Sequence, residues 1–427
     1  MSSENTRFFN PERETMSQDE LQNWQNSHVK EVLRYVVDRN DYMRKYYEDA
    51  GVSVDDFCGL DDMEKLPTIS KTTFRNTFPM GLSCVDRSQL REMHMSSGST
   101  GMPIVMPYTL ADLHQWAECM ARCYRMAGGQ PGDTVQITPS FGLFNGGFGM
   151  YHGARAAELF VIPTSSGNTE RQIRLVNHFQ TKIFCAVISY CIRVIEVMNS
   201  LGLTMPSLKT GIFGAESVTD AMKKKIHEAL GIEVFNIYGM TETGGVGTLG
   251  MDCADHSGIH VWEDQYYLEV IDPVTGKNVP DGTLGELVVT SLTREAVPVI
   301  RFRTGDLTRI LTREKCACGR THLKIDAISG RTDDMLIIKG VNFFPTQVEE
   351  ALLEIPGVLP QYQIIIEEHA GVKEIYIHVE AEEGVTGFMV EKHLKERLGF
   401  SPKGDIFKPG TLPRSEGKAV RVIKRSV

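Results

Sequence analysis

The sequence predicts a large α/β N-terminal domain with mixed or parallel sheets, followed by a small α+β C-terminal domain. Three observations lead there. Between about residues 90 and 330, short apolar runs alternate with helix-length polar segments, the pattern of βαβ units. After Gly330 the texture changes to strands of alternating polarity around an amphipathic helix, so the domains are drawn as 1–330 and 331–427. A chain of 427 residues, 41% hydrophobic and 23% charged, suits two or three globular domains.

In chain order, LQNWQNSHVKEVLRYVVDR places Leu21, Trp24, Val29, Val32, Leu33 and Val36 on one face of an entry helix. The runs DTVQIT, LFVIP, IFCAVI, TGIFGA and EVFNIYG read as strands, with TDAMKKKIHEAL as a helix between the last two. In the last hundred residues, Tyr362, Ile364 and Ile366 share one strand face, as do Ile375, Ile377 and Val379. The segment MVEKHLKERLGF carries Val390, Leu394 and Leu398 at helical spacing and stops at Gly399.

A net charge of −10 argues against nucleic acid as a partner, because phosphate backbones are held by basic surfaces. The start, MSSENTRFFNPERETMSQDE, has neither a basic n-region nor an apolar h-region, and no uncharged run reaches the roughly 20 residues of a membrane span. Nine cysteines, an odd number, do not form a secreted disulfide framework. These features predict a cytoplasmic protein without membrane contact.

MSSGSTGMP, residues 95–103, offers backbone N–H groups and hydroxyls from Ser96, Ser97, Gly98, Ser99, Thr100 and Gly101 to a polyphosphate. It is not a Walker A loop, since Met102 stands where a lysine is expected and PIVMPYT, of strand composition, follows. Taken alone, the stretch reads equally as a Ser/Gly turn between strands. FGAES (213–217), YGMTETGG (238–245), RTGDL (303–307), GRTDDMLIIKG (330–340) and LPRSEGK (412–418) follow it in order. With these motifs the chain resembles the acyl-adenylate-forming ligase superfamily, most closely the phenylacetate–coenzyme A ligase family, from about residue 20 to the C-terminus.

The resemblance implies a mobile C-terminal domain and two half-reactions: a carboxylate and MgATP give acyl-AMP and pyrophosphate, then coenzyme A displaces AMP. It implies that Gly214, Ala215 and Glu216 lie along adenine and that Tyr238, with Gly239 and Met240 beside it, stacks on it. Thr241 then contacts phosphate and Glu242 ligates magnesium, a hard cation suited to carboxylate oxygen. Asp306 accepts the ribose hydroxyls, Arg331 approaches the nucleotide, and Lys418 is brought to the α-phosphate. With Arg331, Lys418 and magnesium present, the loop can act through N–H groups and hydroxyls alone. Asp333 takes the hinge position, and Lys339 and Gly340 the neighbourhood of the pantetheine tunnel.

SFGLFNGGFGMYHG (140–153) interleaves Phe141, Phe144 and Phe148 with glycines, as a pocket for a flat apolar ring would. By itself it reads as a glycine-rich loop with phenylalanines in the core. In the family this segment borders the aryl pocket, so phenylacetate or a similar acid is the implied substrate, with Phe141, Gly142 and Gly214 as pocket residues.

Cys253 and His260 in DCADHSGIH, with Cys316 and Cys318 in KCACGRTH, are a sufficient set for a closed structural zinc site. His256 competes, with His322 behind it; the family pattern favours His260. Cys58, Cys84, Cys119, Cys123, Cys185 and Cys191 show no metal spacing, and Cys119 and Cys123 share one helical face, as core residues do. The expected ligands are therefore an aryl acid, ATP, magnesium, coenzyme A and zinc, with a homodimer left open. Two alternatives stand beside this reading: a nucleotidyltransferase that adenylylates a phenolic cofactor, and a relative that stops at the adenylate.

Overall fold

The computed structural model describes residues 7–96, 102–332, 334, 336–338, 341–369, 372–400, 402–414 and 419–426. The entry helix runs Gln18–Arg39, opened by Ser17 and Glu20 in a reciprocal cap, and buries Leu21, Val29, Val32, Leu33 and Val36. The spacing in the sequence thus matches the buried stripe.

A nine-stranded sheet forms the centre. Thr134–Ile137, Phe160–Pro163, Ile183–Val187, Thr210–Gly214 and Glu233–Tyr238 pair in parallel, in the spatial order 160, 134, 183, 210, 233. Helices Thr169–His178, Ile188–Ser200 and Asp220–Leu230 connect these strands. Four antiparallel strands extend the sheet: Gly250–Asp252, Ile259–Val261, Lys324–Ile325 and Ile310–Thr312. The sheet is therefore mixed, with the parallel strands predicted from sequence at one side.

A second, antiparallel sheet orders Tyr266–Ile271, Gly285–Ser291, Phe302–Thr308 and Gly330–Arg331. The C-terminal part has its own four-stranded sheet, in which Val358–His369 and Val372–Ala381 pair antiparallel at the centre. Its own core includes Val348, Leu352, Tyr362, Ile364, Ile377, Val379, Val390 and Leu394. Gly399 ends the helix Gly387–Leu398 at a φ of 77°, a left-handed position that glycine adopts without strain. Lys225 Nζ donates to the Val358 carbonyl at 3.0 Å, and Arg414 pairs with both Glu196 and Glu380, so the small domain touches the large one.

One segment departs from expectation. Residues 145–156 are a helix rather than a glycine-rich loop. Its glycines serve packing: a Cβ at Gly149 would lie 2.2 Å from the Trp116 ring, and one at Gly153 would lie 2.1 Å from Met120 Cβ. These two glycines, four residues apart, let this helix close on Leu110–Met126, which a larger side chain would prevent. Cys119 and Cys123 are buried there, as core residues.

Candidate active site

Two antiparallel strands, Glu92–Met95 and Val105–Tyr108, flank residues 97–101 in the sequence. Beside them Ser96 N–H donates to the Ile104 carbonyl and Ile104 N–H donates to Ser96 Oγ, both at 2.9 Å. Ser97, Gly98, Ser99, Thr100 and Gly101 lie outside the described residues, whereas Met102 is described and exposed. The strand after the loop excludes the strand–loop–helix arrangement of a P-loop NTPase.

Three motifs meet on one carboxylate. Tyr238, at the end of a parallel strand, donates its hydroxyl to Asp306 Oδ2 at 2.6 Å. Arg331 Nη1 pairs with Asp306 Oδ1, and its Nη2 donates to the Thr304 carbonyl at 3.1 Å. Asp306 and Arg331 are direct partners in the antiparallel sheet, which explains why residues 25 apart in sequence meet.

Thr241–Thr243 forms a single 3₁₀ turn directly after Tyr238-Gly239-Met240. Glu242 is buried there, and burial holds its carboxyl above the usual range, with Lys71 opposing the shift. Lys71 Nζ lies 3.9 Å from Glu242 Oε1. Asn145 Nδ2 donates to Thr241 Oγ1 at 2.8 Å, tying the pocket segment to the motif. Gly239 is required by packing, since a Cβ there would sit 2.2 Å from the Gly245 carbonyl oxygen.

Gly214 ends its strand buried, and a Cβ there would lie 2.7 Å from both Ile237 Cγ2 and the Ile237 carbonyl oxygen. Its smallness is thus set by the neighbouring strand. Ala215 follows at a φ of 66°, an uncommon left-handed conformation for alanine. Glu216 accepts from Ser189 N and Ser189 Oγ, each at 3.1 Å, and from Ala419 N of the small domain. Phe141 is half-buried against Phe148 and Tyr151, but Gly142 and Phe144 are exposed, so Phe144 forms no closed wall in this arrangement. Asp333, Lys339, Gly340 and Lys418 lie outside the described residues.

A separate cluster joins Cys253, His260, Cys316 and Cys318, whose ligand atoms all lie within 4.8 Å of one another. His260 stands in the strand Ile259–Val261, and its Nδ1 donates to the His322 carbonyl at 3.0 Å. That bond leaves Nε2, 3.5 Å from Cys318 Sγ, as the atom available to a metal. Cys253 donates its proton toward Cys318, which pulls the Cys318 thiol far down and pushes the Cys253 thiol up. Three thiols and an imidazole this close suit a tetrahedral cation such as zinc. His256 turns away to Asp252 and Glu233, which raise its pKa to about 9, and His322 is buried with no hydrogen bond to either ring nitrogen among the described residues, its Nε2 3.9 Å from Asp264 Oδ1.

Sequence reasoning missed Lys71, Asn145 and Ser189. Lys71 and Ser189 belong to no motif, Asn145 lies in the 140–153 stretch without being one of its pocket residues, and each reaches the site through tertiary packing. Among the described residues, no helix is long and apolar enough to cross a membrane.

The family description "AMP-binding enzyme" matches residues 11–293, and "AMP-binding enzyme C-terminal domain" matches residues 340–425. A phenylacetate-coenzyme A ligase of Thermus thermophilus is 39% identical, the match covering 97% of this chain and 98% of that one. One from Escherichia coli is 40% identical over 96% of each chain. Among solved structures, 2-hydroxyisobutyryl-CoA ligase in the postadenylation state with 2-HIB-AMP superposes with a TM-score of 0.93 at 27% identity, covering 100% of this chain and 94% of that one. The same enzyme in the thioesterification state, with 2-HIB-AMP and CoA, gives 0.73 at 28% identity, covering 100% and 95%. Matched by both family descriptions, and by relatives along nearly its whole length, the chain belongs to the AMP-binding enzyme family.

Proposed function

We propose that the protein joins phenylacetate or a similar aryl acid to coenzyme A at the expense of ATP, through an aryl-acyl adenylate. The observation that carries this reading is the convergence of Tyr238 and Arg331 on Asp306, beside the buried Glu242 turn. In the first step the acid's carboxylate oxygen attacks the α-phosphorus and pyrophosphate leaves. In the second the thiol sulfur attacks the acyl carbon, AMP leaves and the thiol proton is released.

Asp306 accepts the ribose hydroxyls, held in place by Tyr238 and Arg331, while the Tyr238 ring offers a face to adenine. Gly214, Ala215 and Glu216 line the nucleotide's edge. Thr241 and the loop from Ser96 to Gly101 bind phosphate oxygens. Glu242 is the residue that would hold magnesium, which supplies neutralisation of phosphate charge as pyrophosphate departs. Lys418 stabilises charge at the α-phosphate, Asp333 is the hinge, and Lys339 and Gly340 face the pantetheine arm. Phe141 and Gly142, with the backbone of Gly214, border the acid. The cytosol is the proposed location.

A panel of aryl acids, scored for pyrophosphate release and coenzyme A ester formation, tests the reading. Ester formation dependent on one acid class is expected. Pyrophosphate release with no ester from any acid overturns it and points to an enzyme that stops at the adenylate.

Asp306→Ala is expected to raise the KM for ATP about tenfold to a hundredfold, the worth of a charged acceptor, with little change for the acid. Steady-state kinetics with each substrate varied checks this; equal effects on both would indicate a general fold defect.

The four-ligand cluster is proposed to hold structural zinc and to take no part in the reaction. It ties the segment around Cys253 to the loop around Cys316. Purified protein is expected to carry about one zinc per chain, and Cys316→Ser to lose metal and thermal stability together. Metal analysis alongside thermal unfolding decides it.

A further inference from the structure

We propose that the groove between the helices Leu110–Met126 and Asn145–Ala156 is a second binding site, for an apolar monocarboxylate of the aryl-acid class, separate from the place where the acid is activated. The chemistry of the groove stands on its own lining; only the choice of an aryl acid as occupant rests on the ligase reading given above. Leu110, Leu113 and Ala117 fall at helical spacing on the first helix, and His152, Arg155 and Ala156 do so on the second. Between them lies a cavity of about 420 Å³, within the roughly 300–1,000 Å³ of small-molecule sites. Leucine and alanine side chains make its apolar wall, and Leu110 is 54% exposed, apolar surface that a ring can cover. The polar lining residues are His114, His152 and Arg155, with no aspartate or glutamate among them, in a chain of net charge −10. Arg155 makes no ion pair and donates no hydrogen bond among the described residues, its guanidinium lying 5.8 Å from the centroid of the Tyr151 ring. Arginine stays charged and offers a planar fork that matches a carboxylate. The wall thus suits an apolar ring and the cation its carboxylate.

Both walls are fixed without a ligand. The two helices close on each other where Gly149 and Gly153 admit Trp116 and Met120. His152 Nε2 donates to both oxygens of Glu92, at 3.2 and 3.1 Å, and the same carboxylate accepts from Nε2 of buried His94 at 3.1 Å. Burial raises the Glu92 carboxyl, but the bonds from His152 and His94 outweigh it and hold it at about 2. His152 is therefore anchored from behind, and a preorganised site loses less on binding than one that must form. Trp116, fully buried, stands between the groove and the Glu242 turn. Its ring meets that of His152 at 5.8 Å, a Cβ at Gly245 would lie 2.3 Å from it, and its Nε1 donates to the Val246 carbonyl at 2.9 Å. The groove still shares a wall with the proposed acid pocket, since the Tyr151 ring under Arg155 meets Phe141 edge-on at 6.2 Å.

The test uses full-length protein saturated with an unreactive arylacetyl sulfamoyl adenosine, which mimics the adenylate and fills the nucleotide and activated-acid sites. Equilibrium dialysis then measures the binding of labelled phenylacetate, with melting temperatures as the check on folding. The blocked wild type is expected to take up about one further phenylacetate per chain, which phenylacetamide, lacking the charge, does not displace. Arg155→Glu is expected to weaken that binding about tenfold or more, the loss of one charge-assisted contact. Ala156→Leu, which fills the cavity and leaves the charge in place, is expected to weaken it as well. No phenylacetate on the blocked wild type, displacement by phenylacetamide, or undiminished binding in either folded variant overturns the proposal. A mimic that fails to bind the wild type would instead overturn the ligase reading, and the groove is then titrated in the free protein with the same variants.

Discussion

Lys418→Ala is expected to lower the rate of adenylate formation at least a hundredfold while sparing the conversion of supplied arylacetyl-adenylate to its coenzyme A ester. The proposed ammonium acts only while the α-phosphorus is attacked, and one preorganised electrostatic stabiliser is worth about a hundredfold to a thousandfold. Asp333→Pro is expected to do the reverse. Proline fixes φ near −65°, restricting the backbone rotation that a hinge must perform. That variant should release pyrophosphate and make little thioester. The present arrangement superposes better on one relative's postadenylation state, at a TM-score of 0.93, than on its thioesterification state, at 0.73, with almost equal coverage. The contacts of Arg414 with Glu196, and of Ala419 with Glu216, flank Lys418 in sequence and join the two domains in the present arrangement. Separate assays of the half-reactions check both variants. Equal loss of both halves in both variants would make domain alternation the wrong account.

The parallel strands are legible in the sequence because strands covered on both faces read as continuous apolar runs. Ile183–Val187 is such a run, and so is Thr210–Gly214. The alternating strands at 358–369 and 372–381 are legible for the opposite reason, with Tyr362, Ile364, Ile375 and Ile377 inward, although Ile365, also buried, breaks the alternation in the first. The metal ligands are legible as a set, since Cys-x-Cys and a nearby Cys and His restrict the choice, and the fold brings the same four together. Residues 145–156 mislead because glycine opposes helix formation on its own. Only the closeness of Trp116 and Met120, a tertiary fact, makes Gly149 and Gly153 favourable in a helix. The meetings of Lys71 with Glu242 and of Asn145 with Thr241 are invisible for the same kind of reason: the distance in sequence is spanned by packing that no local pattern encodes.

Arg122→Met is expected to destabilise the fold by about 3–5 kcal/mol at pH 7, the cost of leaving a buried carboxylate without its cation. Arg122 and Asp264 are both fully buried, joined by two hydrogen bonds of 2.7 and 2.8 Å, with Glu118 taking a third at 2.6 Å. The pair fixes the helix Leu110–Met126 to the chain just before the second sheet, where Trp24 Nε1 also donates to the Asp264 carbonyl at 2.8 Å. Burial raises the pKa of Asp264, but Arg122 outweighs it and holds the carboxyl below its usual range. A depressed folded-state pKa means that this stabilisation is present above the unfolded value of about 3.9 and is lost as pH falls through the folded value. Without Arg122, burial acts unopposed by its main partner and the folded-state pKa rises above the unfolded one. The variant then takes up a proton on folding, and its stability declines as pH rises from about 4. Denaturant unfolding at pH 5 and pH 7 checks the sign: the gap between wild type and variant should be smaller at pH 5. A gap independent of pH would place the cost in lost packing of the arginine stem instead.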